Sequence, residues 1–110
     1  MSAFFESEII KESLDDINKL QEDVYGKLVH FHTMTYDEQI DHVSKLTELL
    51  DKQRIMYTRL SLSDDPEAVV MKESLNKTVT MMGYPEGTDI AVLFKNMHAT
   101  IDALKEFLEA

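Results

Sequence analysis

Ile90, Phe94, Met97, Ile101, Leu104 and Leu108 are spaced four, three, four, three and four residues apart. Side chains at that spacing share one face of an α-helix, whereas on a strand they would scatter over both faces. Nowhere does the chain alternate apolar and polar residues cleanly with period two, as a half-buried strand requires. Apolar residues so arranged can be buried together only by packing helices, so the expected fold is all-α.

Four helices follow from the spacing. The first is expected from about Glu6 to His30, with Ile10, Leu14, Ile17, Val24, Leu28 and Phe31 as its apolar stripe and Ser7 as its cap. Its opposite face carries Glu12, Asp15, Lys19, Glu22 and Asp23. The second starts at a capping box, Thr35 with Glu38 three residues on, and runs to about Ser61. Two apolar stripes overlap on it. Tyr36, Ile40, Val43, Leu50 and Tyr57 form one, and Leu46, Leu49, Met56 and Leu60 the other. The chain then breaks at 63–67, where Asp65 caps a third helix beginning at Pro66, a residue suited to a first turn. That helix presents Ala68, Met71, Leu75, Val79 and Met82 and stops at Gly83. Thr88 or Asp89 caps the fourth.

One helical domain over residues 1–110 accounts for the length, with no repeat or linker to divide it. The first two helices, each near 40 Å at about 1.5 Å per residue, should form a long antiparallel hairpin with the two shorter C-terminal helices packed against it. Two short helices cover so long a hairpin poorly, and the second helix has an unusually wide apolar face. The expected architecture is therefore a dimeric helical bundle rather than a monomeric four-helix bundle.

Composition excludes several functions. No cysteine is present, which removes disulfides, thiol catalysis and cysteine-ligated metals. The net charge of −10 and pI near 4.7 argue against direct nucleic-acid binding. No run approaches the ~20 apolar residues of a membrane span, and the start lacks the features of a signal peptide, so a cytoplasmic protein is expected. Of His30, His32, His42 and His98, none has a glutamate three residues before it, so the Glu-x-x-His pairs of a di-iron bundle are missing. A zinc site joining His30 or His32 to His42 stays open, because a helix junction can bring them together; exposed or interfacial histidines near the junction are the favoured reading. The acidic pairs, such as Asp15-Asp16 and Asp37-Glu38, diverge by ~100° on a helix and form no calcium loop. No cofactor is expected, and nothing in the chain supports an enzyme. The seven methionines are read first as core filling. Met81-Met82 beside Gly83-Tyr84-Pro85 is the best candidate for an exposed apolar patch.

Charge distribution says more than its sum. Residues 1–50 carry 4 basic and 11 acidic side chains, or −7, and residues 63–110 carry 4 and 9, or −5. Residues 51–62 hold Asp51, Lys52, Arg54 and Arg59, or +2, and with them both arginines of the chain. Arginine suits bidentate and interfacial ion pairing. The segment Lys52, Arg54, Tyr57, Arg59, extended by Asp64 and Asp65, is thus the candidate interaction site. Its competing explanation is internal: Arg54 and Arg59 pair with carboxylates of a neighbouring helix or subunit.

The same segment carries a resemblance. Phe4-Phe5-Glu6-Ser7-Glu8-Ile9, the run from Leu49 through Gln53-Arg54-Ile55-Met56-Tyr57-Thr58-Arg59-Leu60-Ser61-Leu62 to Asp65, and a methionine-bearing last helix through Met97 resemble a small uncharacterised family of cyanobacterial proteins that also occurs in cyanophages. The resemblance spans nearly the whole chain. It implies a cyanobacterial cytoplasm, or the host cytoplasm if a phage encodes the protein, and it supplies no activity. Three functional expectations result. The first is a non-enzymatic, homodimeric module that binds a protein partner not identified by the sequence. The second is an acidic nucleic-acid mimic that antagonises a DNA- or RNA-binding protein. The third is a metal-dependent enzyme, with two or more of His30, His32, His42, Asp37 and Glu38 in one cleft.

Overall fold

A computed structural model describes residues 3–110. Among them the elements are α1 (Ala3–Glu6), α2 (Glu8–Leu28), a 3-10 turn at Phe31–Thr33, α3 (Tyr36–Leu62), α4 (Pro66–Met81) and α5 (Ile90–Glu109), with no strand. The helical expectation holds throughout these residues.

The helix starts follow local chemistry. Thr35 Oγ1 accepts from Glu38 N at 3.2 Å, and Glu38 Oε1 accepts from Thr35 N at 3.3 Å, which closes the capping box. Asp65 accepts from Glu67 N at 3.0 Å ahead of Pro66, and Asp89 accepts from Ala91 N at 2.8 Å. Gly83, at φ +100°, takes the left-handed conformation that turns the chain after α4.

The first expected helix differs. Ser7 is extended and makes no side-chain cap, and it separates the short α1 from α2. At the other end α2 stops at Leu28, two residues early, and the chain tightens into the 3-10 turn. Leu28 is therefore 52 % exposed rather than part of the core, while Ile10, Ile17 and Val24 of the same stripe are buried. On α4, Ala68 and Val79 are buried but Met71 and Met82 are not; Met82, at 58 % exposure, lies past the last turn. Met81 is more exposed still.

Helix α3 is the axis of the molecule. It packs against α2, α4 and α5, while α1 lies against α2 and α4. Its two stripes face different neighbours. Leu49, with Leu46 and Met56 beside it, packs with Ile17, Val24 and Leu20 of α2. Leu50 and Tyr57 pack with Val79, Ile90 and Phe94 of α4 and α5. From Val43 to Leu60 the wide face is thus turned to the chain's own helices, a one-residue step from Leu49 to Leu50 passing from one core to the other, while Tyr36 at its start is 53 % exposed. Ion pairs of α3 with α2 join Lys45 to Asp23 at 3.2 Å and Lys52 to Asp16 at 3.8 Å, so position rises along one helix as it falls along the other. The molecule measures 47 × 34 × 20 Å, and its thin dimension is about two helix diameters. No helix among the described residues is long and apolar enough to cross a membrane.

Candidate functional site

The six residues singled out in the sequence divide among different tasks. Tyr57 points inward. It is 7 % exposed, meets Phe94 edge-on at 6.1 Å between ring centroids, and donates from its hydroxyl to Asp89 Oδ2 at 3.0 Å. Burial pushes its phenol above the ordinary value of 10.0, so it stays a neutral donor. Asp65 is a hinge for three elements: it caps α4 through Oδ1, accepts from Phe4 N of α1 through Oδ2 at 3.2 Å, and its own N–H donates to Ser63 Oγ at 3.1 Å. Asp64 is exposed, with no hydrogen bond or ion pair among the described residues.

Lys52, Arg54 and Arg59 remain on the surface. Lys52 Nζ lies 3.8 Å from Asp16 and 3.9 Å from Glu48, both longer than hydrogen bonds. Arg54 Nη2 lies 3.6 Å from Asp51 Oδ1 within its own helix. Arg59 Nη1 donates to the neutral hydroxyl of Ser13 on α2 at 3.2 Å. Among the described residues neither arginine meets a carboxylate of a neighbouring helix of its own chain.

Around them the surface is open but shaped. A depression of about 180 Å³ lies toward α2, floored by Ile17 and Met56 and rimmed by Lys52 and Arg59. A second, of about 450 Å³, lies toward α5, with Arg54, Lys95 and His98 around Ala91. Ile55, 48 % exposed, stands on α3 between them. A further depression, about 520 Å³ beside α4 and the following loop, mixes Glu73, Lys77 and Glu86 and has no dominant charge.

Sequence reasoning missed His98 and Asp51. His98 Nε2 donates to Asp51 Oδ1 at 2.7 Å across the α3–α5 contact. The two are 47 positions apart, and only the register of two packed helices brings them together. It also missed the buried state of His42. That ring is 2 % exposed and tilted against Phe31 at 5.6 Å, and neither nitrogen has a hydrogen-bond partner among the described residues. Burial holds its pKa below the usual 6.5, reinforced by the Lys27 charge. His30 and His32 are exposed and Asp37 and Glu38 lie on the outer first turn of α3. Among the described residues no three His, Asp or Glu side chains gather as metal ligands.

No curated protein and no solved structure matches the chain. A family sequence pattern does match, over residues 2–108, and so the chain belongs to the family described as Domain of unknown function (DUF1825).

Proposed function

We propose that this protein is a non-enzymatic interaction module that recruits a protein partner through the exposed ridge of α3, in the cytoplasm of a cyanobacterium or of a phage-infected cyanobacterial host. One observation carries the reading. Arg54 and Arg59 flank the half-exposed Ile55, and their own contacts are a long ion pair and one neutral hydroxyl. An arginine paired so loosely exchanges its partner at little cost, since exposed ion pairs contribute about 0–1 kcal/mol. Arginine is also enriched among the anchors of protein interfaces. Affinity capture from a cyanobacterial lysate tests the reading. A partner should be retained by the wild type and lost with Arg54→Ala/Arg59→Ala. Recovery of the same proteins by both would overturn it.

The module is further proposed to be one domain that works as a homodimer, with α2 and α3 as its long hairpin. What supports self-association is the apolar surface bracketing the turn between those helices, where Tyr25, Leu28, Val29 and Tyr36 are all more than half exposed. Such clustering on a small chain marks contact surfaces. Sedimentation equilibrium should return twice the 12.7 kDa chain mass, falling toward the single mass with Leu28→Glu/Tyr36→Glu. A concentration-independent monomer would remove the proposal.

A further inference from the structure

We propose that the α3 ridge at Ile55, with the depressions on its α2 and α5 sides, takes a short acidic segment of the partner protein, with carboxylates on both sides of an aliphatic side chain. This rests on the interaction-module reading and names the chemistry of the partner. The chain has 21 acidic residues, yet no Asp or Glu lines either depression beside Ile55. Four of its 11 lysines and arginines do: Lys52 and Arg59 on one side, Arg54 and Lys95 on the other. On a body of net charge −10 this is a local concentration of cations, bordered by Asp16, Glu48 and Asp51 but complementary to carboxylates. Its cations are available. Lys95 and Arg59 have no carboxylate within 4.0 Å among the described residues, and the ion pairs of Lys52 and Arg54 are all 3.6 Å or longer. The nearest acid, Asp51, is already engaged by His98.

Helix geometry sets the ligand. Arg54 and Arg59 are five residues apart, about 7.5 Å along the axis, and diverge by roughly 140° to either side of the ridge. An extended peptide repeats side chains on one face at about 6.7 Å. Two carboxylates four residues apart on such a strand, with an aliphatic residue midway between them, share the face turned to α3, so both carboxylates reach the arginines while the aliphatic side chain lies on Ile55. A nucleic acid fits less well. Its phosphates continue past this small cluster of cations onto the acidic surface, where each is repelled, and Ile55 offers nothing to a phosphate.

Selection of a displayed library of random short peptides on the full chain tests this, with Arg54→Glu/Arg59→Glu as the counter-target. Enriched sequences should carry carboxylates on both sides of an aliphatic residue. A synthetic peptide of that sequence should bind the wild type, weaken with added salt, and lose about tenfold or more with the double reversal. It should also weaken with Ile55→Ser. Enrichment of basic or carboxylate-free peptides, no enrichment, or equal binding to the variant would overturn the proposal. So would stronger competition for the ridge by a single-stranded oligonucleotide or by a second copy of the chain. Circular dichroism melting checks that the variant is folded; should it unfold, Arg54→Gln/Arg59→Gln takes its place with the same expected direction. If lysate capture depends on the two arginines while acidic peptides fail, the interaction module stands and the acidic segment falls. If capture fails as well, both fall.

Discussion

His98 on α5 donates to Asp51 on α3 at 2.7 Å, and Arg54 approaches the same carboxylate oxygen at 3.6 Å. One carboxylate therefore ties the two helices together and positions an arginine of the candidate surface. The pair is partly exposed, with side chains 27 % and 42 % accessible, so its contribution is that of a screened, charge-assisted bond. A double-mutant cycle of Asp51→Ala and His98→Ala in urea unfolding should give a coupling of about 1 kcal/mol. Strictly additive effects would show that the short contact contributes nothing.

Much of this architecture is legible in the residues, for identifiable reasons. Thr35 with Glu38, Asp65 before Pro66, and Asp89 before the last heptad are signals in which a side chain satisfies backbone donors a few positions away, so sequence distance and spatial distance coincide. The two stripes of α3 were legible too, although the neighbours they meet belong to the same chain. Leu28 and Met82 read as core because periodicity does not register that a helix ends beneath a residue. The site is harder. Tyr57 and Arg59, two positions apart, diverge by about 200° on α3; the apolar stripe already points Tyr57 inward, and only the clustering of charge around it draws it into the candidate surface. Asp51 with His98, and the burial of His42 under Phe31, are products of packing register that no local pattern encodes.

His42 makes folding pH-dependent. Its folded pKa lies below the ordinary 6.5 because burial disfavours the imidazolium, with the Lys27 and Lys45 charges adding to this and Asp23 and Asp41 opposing it. Between the lowered folded value and 6.5 the unfolded chain binds a proton that the folded chain does not. The stabilisation is therefore complete above the unfolded value and lost as pH falls below it, by up to about 1.4 kcal/mol per pH unit until the folded value is reached. His42→Leu, of similar volume, removes both this proton and two unpaired ring nitrogens. It should stabilise the chain by about 1–2 kcal/mol near neutral pH. Its advantage should widen on acidification, because only the wild type has this histidine to protonate. Urea unfolding of both proteins across the mildly acidic range measures the difference; parallel pH curves would refute the assignment.

Tyr57 and Asp89 form a joint between the core and the start of α5. Asp89 accepts from the Ala91 amide through Oδ1 and from the Tyr57 hydroxyl through Oδ2. Tyr57→Phe keeps the ring against Phe94 and loses only the hydroxyl bond, so it should cost about 1 kcal/mol. Asp89→Ala loses the cap and leaves a largely buried phenol without its acceptor. Its cost should be larger, about 2–3 kcal/mol. Denaturant midpoints order the two variants, and a Tyr57→Phe effect exceeding that of Asp89→Ala would contradict this arrangement.

Asp64 and Asp65 are adjacent acids with unequal roles. Asp65 binds the Glu67 amide, which starts α4, and the Phe4 amide, which fastens α1 across the α3–α4 corner. Asp65→Ala should therefore cost about 1–2 kcal/mol as a lost cap, with a further loss of amide protection in α1, since Phe4 N–H loses its acceptor. Asp64 is exposed and engages no group among the described residues, so Asp64→Ala should stay within about 0.5 kcal/mol of the wild type. Hydrogen exchange separates cap from fastening. Asp65→Asn retains a side-chain oxygen for the Glu67 amide, while the NH2 group that replaces Oδ2 is a donor and cannot accept from Phe4 N. Asp65→Asn should thus recover most of the α4 stability but leave α1 exchanging faster than in the wild type. Equal protection of α1 in wild type, Asp65→Ala and Asp65→Asn would show that this corner is held by packing alone.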